Sequence, residues 1–313
     1  FGSARPGFVN FRLNTPLLLK KTACDDIIYR QNELHGARCA ARQERHGIFM
    51  GKIIAFANQK GGVGKTTSAV NIAASLGVLG KRALLVDLDP QGNSTSGVGI
   101  MKKNLKHTVR DLLLSDEADG SCSAAADGAA RGAVIETKFR NLSVIPSTIA
   151  LAGAEFDLFS LDDGEYALKK SLDAIRDDYD YIIIDCPPSL GMLTVNALSA
   201  ADGVVIPMQC EFYALEGLSQ LMITIGRIRQ KYNRQLSVTG ILITMYNGRL
   251  LLTSQVISEL KKHYYEKLFA TAISRGVRLS EAPSFGVPVY YHDKSSKGTA
   301  EYLDVARELI ERI

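Results

Sequence analysis

The chain has 313 residues, 46% of them hydrophobic, which is enough for one large α/β domain with a sizeable core. Its longest apolar runs have the length of a strand, well short of the roughly 18 residues that a membrane-spanning helix needs. The five cysteines are scattered and form no CxxC pair, so a zinc site, an iron–sulfur site and a disulfide framework are not expected.

The formal net charge of +4 is distributed unevenly along the chain. Residues 1–49 hold 8 basic and 4 acidic residues, whereas residues 227–313 hold 14 basic and 8 acidic residues. A basic C-terminal third can carry an anion-binding face, and it can equally reflect ordinary scatter of surface charge. The charge counts alone leave both interpretations open.

The first 49 residues differ in texture from the rest, because they mix Arg, Gly, Asn and Pro without a sustained period. At Met50 the sequence changes to a buried-strand pattern. We expect residues 1–49 to be a disordered or non-native extension and Met50 to be the natural start; a genuine disordered basic arm is the alternative. The segment is too short and irregular for a helix-turn-helix domain, so operator recognition is not expected.

Apolar strands alternate with amphipathic helices over residues 50–313, which predicts a single α/β domain with a doubly wound, mostly parallel sheet. Residues 115–132 are rich in Ala, Gly, Asp and Ser, and we interpret them as a surface loop. The predicted strands are 53–57, 83–87, 142–145, 181–185, 203–207, 238–245 and 268–273. The predicted helices are 66–79, 165–177, 193–200, 215–231, 254–262 and 299–312.

A glycine-rich segment, Gln-Lys-Gly-Gly-Val-Gly-Lys-Thr-Thr over residues 59–67, follows the first predicted strand and opens the first predicted helix. This context is the one a P-loop requires, because the backbone N–H groups and the helix N-terminus then point at phosphate oxygens. Lys65 would reach the β- and γ-phosphates of ATP, and the Thr66 hydroxyl would ligate Mg²⁺. The predicted nucleotide-binding residues are Gly61, Gly62, Val63, Gly64, Lys65, Thr66 and Thr67.

Three carboxylates follow predicted buried strands, at the edge of a parallel sheet where ligands bind. Asp87 and Asp89 end the second strand and share one strand face, so that they can organise Mg²⁺ and its waters. Asp185 ends the apolar run Tyr-Ile-Ile-Ile, a Walker B pattern that predicts a magnesium ligand acting through water. Phosphoryl transfer to water needs positioning and charge stabilisation, and the chain offers no strong base beyond Asp89. We therefore predict slow intrinsic hydrolysis that a partner accelerates.

The second lysine of the P-loop, Lys60, gives the pattern KGGVGKTT, and with it the chain resembles the deviant Walker A ATPases of the ParA/MinD family, most closely the Soj-like ParA branch. The resemblance covers nearly all of residues 50–313. It implies that Lys60 reaches across an ATP-dependent homodimer to the partner subunit's nucleotide. It also implies that Asp89 positions the attacking water and that Asp87 supports the metal shell. The expected catalytic residues are thus Lys60, Lys65 and Asp89, and the expected metal site comprises Thr66, Asp87 and Asp185.

Two further segments, 245–249 and 274–284, resemble Soj-like ParA sequences and favour a function in which the ATPase acts on DNA. The resemblance implies non-specific DNA binding through Arg249 and Arg278, whose planar guanidinium groups suit phosphate oxygens. It further implies a ParB-type partner, chromosome or plasmid segregation, and a cytoplasmic, nucleoid-associated protein. Ser274 stands where the family usually has proline, which puts the detail of the adenine pocket in doubt.

Two other outputs occur among deviant Walker A proteins. A MinD-like membrane-positioning ATPase is the alternative, and it needs a C-terminal basic amphipathic helix. Here the polar face of residues 299–312 is acidic on balance, so we expect the helix to dock on its own core and no stable membrane association. A redox output would require cysteines that jointly hold an iron–sulfur cluster, and neither Cys186 nor Cys210 has such a context.

Overall fold

The structure is a computed structural model that describes residues 50–114 and 124–313. The prediction for residues 1–49 lies outside the described residues. Within the described ranges, no helix is long and apolar enough to cross a membrane.

The elements alternate along the chain as the sequence predicts. The strands are β1 (Lys52–Phe56), β2 (Ala83–Asp87), β3 (Ile135–Glu136), β4 (Leu142–Ile145), β5 (Tyr181–Asp185), β6 (Gly203–Gln209) and β7 (Ser237–Thr244). The helices are α1 (Lys65–Val78), α2 (Asn93–Gly97), α3 (Val109–Leu113), α4 (Ala124–Ala133), α5 (Leu151–Ser160), α6 (Ala167–Asp173), α7 (Met192–Ala200), α8 (Ala214–Lys231), α9 (Leu251–Tyr264), α10 (Val277–Glu281), α11 (Val289–His292) and α12 (Lys297–Arg312).

The seven described strands form one sheet in the order β3-β4-β2-β5-β1-β6-β7. All neighbouring pairs are parallel except β3 with β4, and β5 is central, with Ile183 opposite Leu85 of β2 and Ile54 of β1. Every residue of β2 and β5 is buried, as expected for strands covered by helices on both faces. The predicted α/β fold with a doubly wound, mostly parallel sheet is confirmed.

The apolar residues divide into two clusters, one on each face of the sheet, because successive strand side chains alternate. Helices α1 and α12 cover one face, where Ile72 of α1 and Tyr302 and Leu309 of α12 join the same cluster. The expectation that the C-terminal helix docks on its own core is confirmed, since the residues of its apolar stripe are buried or half-buried. The helix that carries the P-loop is thus held by the end of the chain.

Residues 268–273 do not form the predicted strand. Phe269 and Ile273 donate backbone hydrogen bonds to β7, but the ladder pairing there is limited to isolated bridges. The backbone N–H of Ala270 instead donates to the Glu308 carboxylate of α12, at 3.0 and 3.1 Å. The Glu308 side chain of α12 therefore accepts a hydrogen bond from a backbone N–H of this segment. The local sequence cannot reveal this long-range contact.

Two further predictions require correction. Residues 124–132 of the predicted loop belong to α4, since Ala favours a helix and Ala130 and Ala133 pack in the core; residues 115–123 lie outside the described part of the chain. The predicted helix 165–177 is broken into a 3₁₀ turn, α6 and a second 3₁₀ turn at Arg176–Asp178. Arg176 points inward there and donates to the Gly51 carbonyl at 2.6 Å and to Asp202 at 2.5 Å.

Candidate functional site

The glycine-rich segment connects β1 to α1 and forms a tight turn at the carboxyl end of the sheet. Gly62 and Gly64 have φ angles of 72° and 82°, in the left-handed region that side-chain-bearing residues rarely adopt. The Gly64 carbonyl accepts the first backbone bond of α1, from Ser68 at 2.9 Å. The turn therefore places the free N–H groups of the α1 N-terminus beside the loop, which makes an anion site of the P-loop type.

Asn58 fixes the start of this loop. Its amide donates to the Pro207 carbonyl of β6 at 2.7 Å, and its oxygen accepts from the backbone N–H of Lys60 at 3.0 Å. The sequence pattern alone does not identify Asn58 as part of the site, although the residue stands between the first predicted strand and the loop.

Two side chains from distant strands support the middle of the loop. Thr244, at the end of β7, donates its hydroxyl to the Val63 carbonyl at 2.7 Å and lies 3.1 Å from the Met208 carbonyl. Gln209, at the end of β6, donates to the Gly62 carbonyl at 2.8 Å. Gln209 and Thr244 lie 147 and 181 positions from their partners in the loop, so no local pattern points to them.

The two lysines of the loop have different environments. Lys65 is 6% exposed, and its ammonium donates to the Lys60 carbonyl at 2.9 Å. Burial lowers the pKa of Lys65, while the charge of Asp185 opposes that shift. Lys60 is about half exposed and forms an ion pair with Glu211, which follows β6. Lys65 is thus fixed inside the loop, whereas Lys60 lies at its outer rim.

Asp185 is fully buried and lies next to the first turn of α1. Its Oδ2 accepts from the Ser94 hydroxyl at 2.8 Å, and the nearby Thr66 hydroxyl favours the charged carboxylate. Its Oδ1 is buried and has no hydrogen-bond partner of normal geometry among the described residues. Burial and repulsion from Asp87 raise the pKa of Asp185 well above its usual range, so the arrangement favours a bound cation.

Asp87 and Asp89 organise the loop that leads into α2. Asp87 accepts from both the backbone N–H and the hydroxyl of Thr95 at 2.7 Å, and burial raises the pKa of Asp87 to about 6. Asp89 is 8% exposed, and its Oδ1 accepts from the Gln91 backbone at 2.9 Å. Asp87 therefore anchors α2 through Thr95, and its role in the metal shell stays a prediction, as does the role of Asp89 towards water.

The residues at this site fit Mg²⁺ held with a nucleotide better than a metal held by protein alone. The described residues contain no group of three or more His, Cys, Asp or Glu side chains placed to bind a metal. Thr66 and the partnerless Asp185 oxygen supply hard oxygen donors, and Mg²⁺ usually completes its shell with water and phosphate oxygens. When bound, the ion would neutralise developing phosphate charge.

A cavity of about 610 Å³ lies beside the P-loop, at the carboxyl ends of β6 and β7. Gln209 and Glu211 line it and are also bonded to Gly62 and Lys60, so cavity and loop are continuous. The remaining wall comes from Cys210 after β6, from residues between β7 and the first turn of α9, from the segment before α10 and from the start of α12. These lining residues are Cys210, Met245, Tyr246, Asn247, Gly248, Arg249, Leu250, Thr253, Ser274, Arg275 and Lys297.

The two arginines predicted to contact DNA lie in different settings. Arg249 is exposed and lines the cavity. The Arg278 side chain is 57% exposed on α10 and pairs with Glu281 at 2.9 Å and with Asp293 at 3.3 Å. Such exposed ion pairs contribute little stability, so the Arg278 guanidinium can replace its carboxylate partners with a phosphate group.

Comparison with known proteins decides the family. A family model described as an AAA domain matches residues 51–238. The sporulation initiation inhibitor protein Soj of Bacillus subtilis (strain 168) is 52% identical over 260 residues, which cover 83% of this chain and 98% of Soj. The chain belongs to the ParA/Soj family of P-loop partitioning ATPases.

Other members and neighbours of the ParA/Soj family agree with this assignment. The chromosome partitioning protein ParA of Myxococcus xanthus (strain DK1622) is 47% identical over 277 residues, covering 88% of this chain and 94% of ParA. Among solved structures, the fold is similar to cobyrinic acid a,c-diamide synthase from Mycobacterium smegmatis with bound ADP and magnesium. That structure has a TM-score of 0.70 and 36% identity, with 84% of this chain and 95% of the other covered.

Proposed function

We propose that this ParA/Soj ATPase binds ATP with Mg²⁺, dimerises on ATP and then binds DNA without sequence preference. A ParB-type partner stimulates hydrolysis, and the cycle drives chromosome or plasmid segregation on the nucleoid. The observation that carries the proposal is the P-loop itself, with Lys65 fixed inside and Lys60 at its exposed rim. The name of the relative from Myxococcus xanthus, chromosome partitioning protein ParA, supports the partitioning role.

The loop and the cavity together accommodate one nucleotide. The phosphates lie against the α1 N-terminus. They replace the Lys60 carbonyl as the hydrogen-bond acceptor of the Lys65 ammonium. The base and ribose then extend into the adjoining cavity of about 610 Å³. Thr66 and Asp185 hold Mg²⁺, with Asp87 in support. The similar Mycobacterium smegmatis structure has ADP and magnesium bound, which supports nucleotide and metal as the ligands of this site.

Hydrolysis is slow without a partner, because the described residues around the P-loop offer no strong base beyond Asp89. Lys60 and Lys65 stabilise the transferring phosphoryl group, and the Asp89 carboxylate orients water. The Gln91 backbone N–H donates to Asp89 Oδ1 and thereby occupies one of the two carboxylate oxygens that could orient the attacking water. A partner that reorders this loop would release that oxygen and accelerate turnover.

Dimerisation requires the Lys60 side chain to give up its ion pair with Glu211 and to contact the nucleotide of the partner subunit. In this structure Lys60 pairs with Glu211, and Phe212 and Tyr213 beside it are 75% and 71% exposed. Because the ion pair is exposed, it contributes at most about 1 kcal/mol and yields readily to the phosphates of a partner's nucleotide.

The dimer proposal is tested by light scattering with ATP and Mg²⁺. Lys60→Ala is expected to stay monomeric with ATP, whereas Lys169→Ala, which removes another exposed paired lysine, is expected to dimerise as the unsubstituted chain does. Dimerisation of Lys60→Ala with ATP would contradict the role of Lys60. The measurement does not involve DNA, so it isolates this step.

DNA binding is tested by comparing two exposed arginines. Arg278 and Arg307 are 57% and 55% exposed, and each pairs with acidic neighbours. Arg278→Ala is expected to weaken binding to random-sequence DNA with ATP roughly tenfold, and to lower the salt dependence by about one phosphate contact. Arg307→Ala is expected to change neither. Equal effects of both variants would exclude Arg278 as a phosphate contact.

A further inference from the structure

One wall of the cavity is held by a buried carboxylate on α12. The backbone N–H of Ser274 donates to Glu301 at 2.9 Å, and the Ser274 hydroxyl donates to the same carboxylate at 2.6 Å. Glu301 is 8% exposed, so these are hydrogen bonds to a desolvated charged acceptor, the stronger class. Ser274 itself lines the cavity.

The same turn of α12 contacts the helix of the P-loop. Tyr302, the next residue, is fully buried and lies 3.2 Å from the Ser68 hydroxyl of α1. Lys297, one turn earlier, is 3.5 Å from Glu301 and lines the cavity as well. The first turns of α12 therefore contact both the helix that follows the P-loop and the cavity wall at Ser274.

We propose that Glu301 is a positioning residue for the base and ribose of the nucleotide, acting through Ser274. The proposal rests on the proposed function, which places the nucleotide in this cavity. Glu301 contacts no substrate itself; it fixes the backbone of residues 274–275 where they form the wall.

Loss of the Glu301 carboxylate would affect the wall from Ser274 onward and not the residue before it. The preceding residue, Ile273, donates to β7 at 2.8 Å and accepts from the Tyr246 backbone at 2.8 Å, so it stays anchored. Ser274 would lose the acceptor of both its backbone N–H and its hydroxyl, and the half-buried N–H would have to find water. The wall then loosens from Ser274 onward, while the P-loop and its Lys65 keep their contacts.

The test compares two ligands on the full-length chain by calorimetry. Glu301→Ala is expected to weaken the affinity for MgADP about tenfold, because the ligand must then order the wall. The same variant is expected to bind Mg-tripolyphosphate within about twofold of the unsubstituted chain, because that ligand has no base or ribose. A general loss of structure would weaken both ligands together.

Three further variants serve as controls. Glu308→Ala removes an α12 carboxylate that also accepts from a backbone N–H, that of Ala270, but at a position that does not line the cavity. It is expected to leave both affinities unchanged. Glu301→Gln is expected to restore MgADP binding to within about threefold, since its amide oxygen accepts from the Ser274 N–H and its amide nitrogen donates to the hydroxyl. If Glu301→Ala does not fold, Ser274→Ala carries the test, with an expected loss of about threefold.

The outcomes separate the inference from the proposed function. Unchanged MgADP affinity in Glu301→Ala overturns the inference, and so does an equal loss for both ligands. An equal loss in Glu301→Ala and Glu308→Ala also overturns it. An unsubstituted chain that binds neither ligand contradicts the proposed function and removes the premise of the inference.

Discussion

Thr244 shows how single residues outside the P-loop determine its shape. The residue is 3% exposed and ends β7, and its hydroxyl donates to a carbonyl in the middle of the loop. A Cβ added at Gly64 would lie 3.6 Å from the Thr244 side chain, so the end of β7 lies close to the loop at this position. The loop is therefore preorganised for phosphate by packing as well as by its glycines.

Replacing Thr244 with valine keeps the shape and removes the donor. Thr244→Val is expected to lower the free energy of unfolding by about 1 to 3 kcal/mol, because the buried Val63 carbonyl loses its partner. Thr224→Val, which removes a hydroxyl bonded at 3.1 Å to Gln220 on the surface of α8, is expected to change it by less than about 0.5 kcal/mol. Urea denaturation of both variants measures the difference. Equal effects would mean that the Thr244 hydroxyl does not hold the loop.

At this scale the sequence predicted the loop residues but not their supports. The glycines, Lys65 and Thr66 are contiguous, and their order alone specifies a phosphate turn. Asn58, Gln209 and Thr244 depend on which strands become neighbours, and that is a property of the folded sheet. The ion pair of Lys60 with Glu211 is likewise a tertiary contact over 151 residues.

At the scale of elements, the segment that follows α2 meets the segment that follows α10. Gly99, after α2, and Gly286, after the 3₁₀ turn Ala282–Phe285, both have left-handed φ angles, of 78° and 62°. A Cβ added to Gly286 would lie 2.9 Å from the Gly99 Cα. The two segments thus touch backbone to backbone, and neither position accommodates a side chain without movement.

The contact predicts a strong dependence on glycine at position 286. Gly286→Ala is expected to lower the free energy of unfolding by roughly 2 to 4 kcal/mol, because the strained φ and the collision with Gly99 add together. Gly80→Ala provides the matched control, since Gly80 has a φ of 87° but nothing within 4 Å of an added Cβ. It is expected to cost about 1 kcal/mol. Thermal or urea unfolding checks both, and equal losses would show that the Gly99 contact is loose.

Elements with clear periodicity were predicted from the sequence to within a few residues. Helices α8 and α12 are examples, because burial of one face dictates their pattern. The central strands are examples too, since burial on both faces gives continuous apolar runs. Two of the failures occurred where a single side chain overrode the pattern. Glu308 captures a backbone group of residues 268–273, and Arg176 turns the end of the predicted helix inward.

At the scale of the whole molecule, three basic residues of the C-terminal third lie together although they are distant in sequence. Arg249, Arg275 and Lys297 line the cavity beside the P-loop. These cationic groups therefore lie next to the P-loop, where they attract phosphate groups. Positive charge near a binding site raises the association rate of an anionic ligand. The overall fold followed from the alternation of strands and helices, whereas this clustering required the folded chain.

Binding of the full chain to random-sequence DNA shows most directly whether ATP controls DNA binding. It is measured by fluorescence anisotropy with MgATP and with MgADP across a salt series. We expect tight binding with ATP, weak binding with ADP, and an affinity that falls steeply as salt rises, because phosphate contacts release counterions. Binding that is equal with ATP and ADP, or absent with both, would contradict it.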